Sequence, residues 1–285
     1  MPVPYKIPVH VLHFLLLLLL LLLPAQASFA EPPARVVSIN LCSDQLLLML
    51  ARPGQIASVS RLALEPNSSY MASEAGRYPV NDAKLEQLLL LEPDLILAEG
   101  FTSPSFVRLL KHFGLRVEIV PNSFDLKGIR RNIRLVATLL GNQSKGEALI
   151  SEMDLRIQRV ADHLPAARSK AVFYQPRGYT SGLDTLQDTA LNHAGWRNLS
   201  KELGVNGYGN IELESLLVAA PDQLFSSAYA PGTHSVAQHR LSHPALNRIT
   251  GDRPMIEIPY RYWICGGPMI ADAIEILADS HPVTP

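Results

Sequence analysis

From Arg35 onward, short apolar runs alternate with stretches whose apolar residues recur every three or four positions. Arg35–Asn40 (RVVSIN) and Ile56–Ser60 (IASVS) are short, β-branched and ended by polar residues, which predicts buried strands. Leu46–Ala51 and Lys84–Leu91 carry helical spacing; Pro93-Asp94 stops the second before a strand at Leu95–Ala98. A further strand is predicted at Arg116–Val120, and another at Lys170–Tyr174. Strands alternating with helices define an α/β fold with parallel sheets.

One phrase occurs twice. KLEQLLLLEPDLILAEGF (Lys84–Phe101) and ELESLLVAAPDQLFSSAY (Glu212–Tyr229) match at Leu-Glu, Leu-Leu and Pro-Asp, with an offset of 128 residues throughout. Each copy reads helix, Pro-Asp stop, strand, polar loop. The duplication predicts two similar lobes. Between the copies, Asp125–Leu140 is one candidate helix. Gln143–Leu164 is a second, with Leu149, Met153, Ile157, Val160 and Leu164 along one face. About 22 residues would reach roughly 33 Å, enough to join one lobe to the other. The expected division is 1–30 leader, 31–142 first lobe, 143–165 connecting helix and 166–285 second lobe.

The first thirty residues do not read as part of this fold. Lys6 is the lone formal charge before Glu31, Val11–Leu23 is apolar, and small residues follow at Ala25, Ala27, Ser28 and Ala30. This is a secretory signal pattern, with cleavage expected after Ala27 or Ala30. The expected mature chain is exported to an oxidising compartment. The whole chain has 285 residues, with 25 basic and 26 acidic side chains. A near-neutral chain without a basic run is a poor nucleic-acid binder. No phosphate loop, nucleophile elbow, H-E-x-x-H or C-x-x-C occurs.

In α/β sheets, ligands sit outside the carboxyl ends of the strands. In the first half the loops there carry Asn40-Leu41-Cys42-Ser43-Asp44, Ser60-Arg61-Leu62, Glu99-Gly100-Phe101-Thr102 and Pro121-Asn122-Ser123-Phe124. In the second half they carry Gln175–Thr180, Ser226–Tyr229 and Tyr260–Trp263. Aromatic and arginine side chains recur, which suits a large, partly apolar, partly anionic ligand.

The opening RVVSINLCSDQLL, LEQLLLLEPDLILA, the long helix, GYTSG and LESLLVAAPDQLF, in this order, resemble the periplasmic substrate-binding proteins of metal-chelate ABC importers, the cobalamin and ferric-siderophore type. The resemblance runs from Arg35 to the C-terminus. It implies two Rossmann-like parallel-sheet lobes joined by one long helix, a ligand cleft between them, and a carrier rather than an enzyme. It implies a periplasmic monomer that delivers a corrinoid or ferric siderophore, or haem, to a permease and, through it, to an ATPase. The chelate would bring its own cobalt or iron, so no cofactor or protein metal site is expected. Arg61, Phe101, Arg177, Tyr179, Tyr229 and Trp263 are the expected ligand-facing residues. Glu86 and Glu214 match the glutamates with which such proteins dock onto permease arginines.

In this picture Cys42 and Cys265 both lie near the cleft, one per lobe; a disulfide, free thiols and metal ligation all remain open. His234, His239 and His243 are expected to be solvated or capping. A cluster-bearing enzyme on two such lobes would need more than two cysteines, and a sensory domain working without a transporter is the other rival.

Overall fold

The computed structural model describes residues 31–228, 241, 244–249 and 253–281. The first half runs β1 (Val36–Ser38), α1 (Leu41–Leu50), β2 (Ile56–Ser60), α2 (Ala72–Ala75), β3 (Val80–Asn81), α3 (Leu85–Leu90), β4 (Leu95–Glu99), α4 (Pro104–His112) and β5 (Val117–Val120). Its five strands are parallel, in the order β3-β2-β1-β4-β5. Leu95, Ile96, Leu97 and Ala98 are wholly buried, as a parallel sheet covered on both faces requires.

Two helices follow, α5 (Leu126–Leu139) and α6 (Gln143–Ala161). The Asp125 carboxylate caps α5 by accepting from Gly128 N–H at 2.6 Å. Leu126, Ile129, Ile133 and Val136 form its buried face. α6 crosses α5 closely because Gly146 has no Cβ; one there would sit 2.6 Å from Ala137 Cβ. α6 ends at Ala161, three residues short of the expected Leu164. Pro165 accounts for the early stop, since it disfavours helical backbone at the residue before it.

The second half contains β6 (Lys170–Phe173), β7 (Tyr179–Ser181), α7 (Leu186–His193), β8 (Arg197–Asn198), α8 (Leu199–Glu202), β9 (Tyr208–Asn210), α9 (Leu213–Ala219), β10 (Gln223–Ser226), α10 (Pro244–Ile249), β11 (Ile256–Glu257) and α11 (Ile270–Asp279). Its main sheet is parallel, in the order β11-β10-β6-β8, and β7 pairs with β9 as an antiparallel ribbon. α6 is held to both halves. Arg130 of α5 pairs with Asp154 at 2.7 Å, and Arg156 reaches Glu275 at 2.6 Å and Asp272 at 3.2 Å on α11. Ile150, Met153 and Ile157 of α6 belong to the same core as residues of both sheets.

The duplicated phrase is duplicated structure. Asp94 accepts from the Arg35 N–H at 3.0 Å, and Asp222 accepts from the Lys170 N–H at 2.7 Å; each fixes the start of the adjoining strand. Arg35 also donates to the carbonyls of Leu91 and Glu92, and Lys170 to those of Ala219 and Ala220. A cation thus covers the open carbonyls at the end of α3 and of α9. Glu92 and Ala220 occupy the same place and share left-handed backbone, φ 44° and 47°.

Candidate functional site

In each main sheet the strand order reverses at one point. In the first this lies between β1 and β4, in the second between β6 and β10. Crevices open at the carboxyl ends of strands at such points. The two crevices share one cavity of about 610 Å³. The first half contributes Cys42 from the start of α1, Glu99 at the end of β4 and Phe101 just beyond it, and Asn122, Ser123 and Phe124 after β5. The second half contributes Gln175, Tyr179, Tyr208, Ser227, Tyr260 and Trp263.

Phe101 is the most open of these aromatic side chains at 78% exposure. Its loop is tied down by Asn40, whose Oδ1 accepts from Glu99 N–H at 3.1 Å and from the Thr102 hydroxyl at 2.9 Å. On the other lobe, Tyr179 and Tyr208 stack with ring centres 5.9 Å apart and planes 6° from parallel. The β7–β9 ribbon brings them together, and each follows a left-handed glycine, Gly178 or Gly207. Tyr208 escaped the sequence reading. The signal that could have found it is the recurrence of Gly-Tyr at 178–179 and 207–208. Burial raises the pKa of both phenols, so they remain neutral hydrogen-bonding groups.

Trp263 also lines the cavity, but it is 2% exposed. Its ring meets Phe173 edge-on at 4.7 Å, and its Nε1–H donates to Ser227 Oγ at 2.9 Å. It is a wall built into the core rather than a free cover.

Two expected ligand-facing residues do not join this group. Arg61 turns to the loop after the neighbouring strand, where its Nε donates to Asp82 at 2.7 Å on the exposed surface. Arg177 sits between two lining residues, Gln175 and Tyr179, yet its side chain is exposed and outside the cavity wall. Its left-handed backbone, φ 64°, forms the turn, and its carbonyl accepts from Asn210 Nδ2. Tyr229 and the three histidines at 234, 239 and 243 lie outside the described residues, as does the leader at 1–30.

The charge of the cavity follows. Among the described residues no lysine, arginine or histidine lines it, and Glu99 is its one carboxylate. Burial raises the Glu99 pKa, opposed by the backbone N–H groups of Cys42 and Ser43; the Cys42 bond is 2.5 Å. Behind it, Asp44 accepts from Ser60 N–H and hydroxyl, and burial pushes its pKa up to about 7.

Cys42, which lines the cavity, forms a disulfide with Cys265, with Cα atoms 5.1 Å apart. Close by, the Ser123 hydroxyl donates to Gly266 O at 3.4 Å. Among the described residues no group of histidine, cysteine and carboxylate side chains could hold a metal ion.

Glu86 and Glu214 do not line the cavity; each is the second residue of its helix, α3 or α9, and each is exposed. Neither carboxylate has an ion pair or hydrogen bond with another described residue.

Two parallel-sheet lobes that share one cavity and are braced by a common helix define a two-lobed ligand-binding protein. The chain belongs to the periplasmic binding protein family, which it matches over residues 36–251. It is similar to a cobalamin-binding protein of Halobacterium salinarum, 24% identical over 223 residues; the match covers 76% of this chain and 60% of that protein's length. A vitamin B12-binding protein of Vibrio campbellii is 23% identical over 229 residues, covering 78% of this chain and 82% of that protein. Among solved structures, the periplasmic haem-binding protein of Vibrio cholerae superimposes with a TM-score of 0.72 at 20% identity, over 87% of this chain and 99% of that one. At that identity the likeness establishes the fold. The family is one of extracytoplasmic binding proteins, and no helix among the described residues is long and apolar enough to cross a membrane.

Proposed function

We propose that this chain is the exported solute-binding component of an ABC importer and that its ligand is a corrinoid. The observation that carries the choice of ligand is the aromatic cavity, whose described wall holds no cation. A ferric catecholate is a compact polyanion, and haem carries two carboxylates; either would be desolvated beside Glu99 without a cation from the described wall. A corrinoid presents a flat ring rimmed by amides. Phe101 and the Tyr179–Tyr208 pair supply apolar cover from opposite lobes, and Asn122, Gln175 and Gln187 supply amides able to both donate and accept. Glu99 accepts hydrogen bonds from ligand amides. The similarity to cobalamin-binding relatives agrees with this reading.

Cobalt arrives with the ligand. Glu86 and Glu214 dock the loaded carrier onto basic groups of a permease, fixing its orientation more than its affinity. The leader directs export and is removed, and the carrier works as a monomer.

Calorimetric titration of the purified mature chain tests the ligand. Cyanocobalamin is expected to bind saturably at one site, and haem and a ferric catecholate not to compete. Saturable binding of haem or the catecholate, with none of cyanocobalamin, would overturn the corrinoid assignment.

A further inference from the structure

Leu90 and Val218 are the two most exposed large apolar side chains among the described residues, at 85% and 88%. A lone exposed leucine needs no explanation. These two are 128 residues apart and occupy the same place in the repeated phrase. Each lies four residues after an unpaired glutamate, Glu86 or Glu214, and so on the same face of its helix, one turn along. Leu88 and Leu216, fully buried, hold the opposite face to the core. The fold thus carries the same motif on each half: a carboxylate and an apolar knob, side by side and pointing outward.

The mounting is duplicated too. Arg35 and Lys170 cover the carbonyls that end α3 and α9, and Asp94 and Asp222 pin the strands that follow. A stiff mount suits a group presented at a fixed spacing. It is wasted on one that only meets water.

We propose that Leu90 and Val218 are paired apolar anchors for the permease. Each seats in a pocket on one of two like halves of that partner, and each pocket is rimmed by a basic group that meets Glu86 or Glu214. The proposal rests on the importer reading and extends it from charge to shape. Duplication of the motif calls for a partner with two equivalent sites. The flanking carboxylates call for basic pockets and disfavour an anionic lipid surface. Burying two aliphatic side chains beside two ion pairs combines affinity with register.

The test uses cells lacking the gene for this chain, complemented with full-length variants and supplied with radiolabelled cyanocobalamin. Leu90→Ser plus Val218→Ser is expected to lower uptake about tenfold or more. The purified variant should keep its melting temperature and its cyanocobalamin affinity. Leu90→Met plus Val218→Ile should retain uptake, because the knobs remain apolar. If the double serine variant transports like wild type while Glu86→Ala plus Glu214→Ala does not, the anchors are wrong and the importer reading stands. If the wild-type chain itself restores no uptake, both fall.

Discussion

Cys42 and Cys265 lie 223 residues apart in the chain and are bonded to each other beside the cavity that Cys42 lines. Cys42 is in the first turn of the first helix; Cys265 precedes the last helix. With α6 braced on both halves, this bond leaves the lobes little freedom to part. In the chain-entropy account, closing so long a loop stabilises by about 5 kcal/mol at most. Cys42→Ala plus Cys265→Ala, or reduction of the wild type, is expected to lower the denaturation midpoint substantially. A melting temperature unchanged by reduction would refute a stabilising cross-link.

Phe101 and Tyr179 face the cavity from opposite lobes with substantial exposure, so they can be truncated without opening the core. Phe101→Ala and Tyr179→Ala are each expected to weaken ligand binding by about 1–2 kcal/mol, roughly five- to thirtyfold, with little change in melting temperature. Trp263→Ala should behave differently. It removes a fully packed ring and is expected to cost about 3–5 kcal/mol of stability. Parallel titration and thermal melts separate the two outcomes; wild-type affinity in both Phe101 and Tyr179 variants would remove the aromatic jaws from the site.

The α/β lobes, the repeat and the strand-end placement of Phe101, Tyr179 and Trp263 were legible because each depends on local pattern: period, Pro-Asp stops, and loops after strands. Arg61 and Arg177 stand outside the cavity wall because side-chain direction depends on neighbours remote in sequence. Asp82 draws Arg61 to the surface from the next strand, and a left-handed turn sets Arg177 outside the wall. Tyr208 joins the cavity through the pairing of β7 with β9; the repeated Gly-Tyr hints at the pair, but its partnering is set only when the ribbon forms. The matching roles of Arg35 and Lys170 were hidden because they lie before the repeated phrase, beside it only once the sheet forms. For Cys42 and Cys265 the sequence left three outcomes open, and spatial proximity decided among them.

Gly182 offers a test of how the tyrosine pair is held. A Cβ there would run into the Val205 carbonyl, and Gly182 N–H donates to Gly207 O at 2.8 Å just beyond the ribbon that carries Tyr179 and Tyr208. Gly182→Ala must push the two segments apart. Binding is expected to fall by at least as much as in Tyr179→Ala, although residue 182 does not line the cavity. Calorimetry on a sample shown by circular dichroism to be folded checks this. Undiminished affinity would mean that the ribbon's spacing does not position the rings.

Asp44 gives the fold a pH signature. Burial raises its pKa from 3.8 to about 7, with the Glu99 charge adding to the rise and the Ser60 and Ser38 hydrogen bonds opposing it. The folded state therefore holds a proton that the unfolded chain releases near pH 4. The stabilisation this brings is complete below pH 4, declines as pH rises toward 7, and is lost above the folded pKa. The slope approaches about 1.4 kcal/mol per pH unit in the middle of that window. His193 acts in the opposite direction, because burial lowers its pKa and stability is lost as pH falls below 6.5. The informative quantity is therefore the difference between wild type and Asp44→Asn, in which the His193 contribution cancels. Asparagine can still accept from the Ser60 N–H but does not titrate. Urea denaturation at intervals from pH 4.5 to 8 is expected to show wild type losing stability relative to Asp44→Asn up to about pH 7, then running parallel. Parallel curves across the whole range would mean that Asp44 is ionised in the fold at all these pH values, and that the Ser60 hydrogen bonds outweigh its burial.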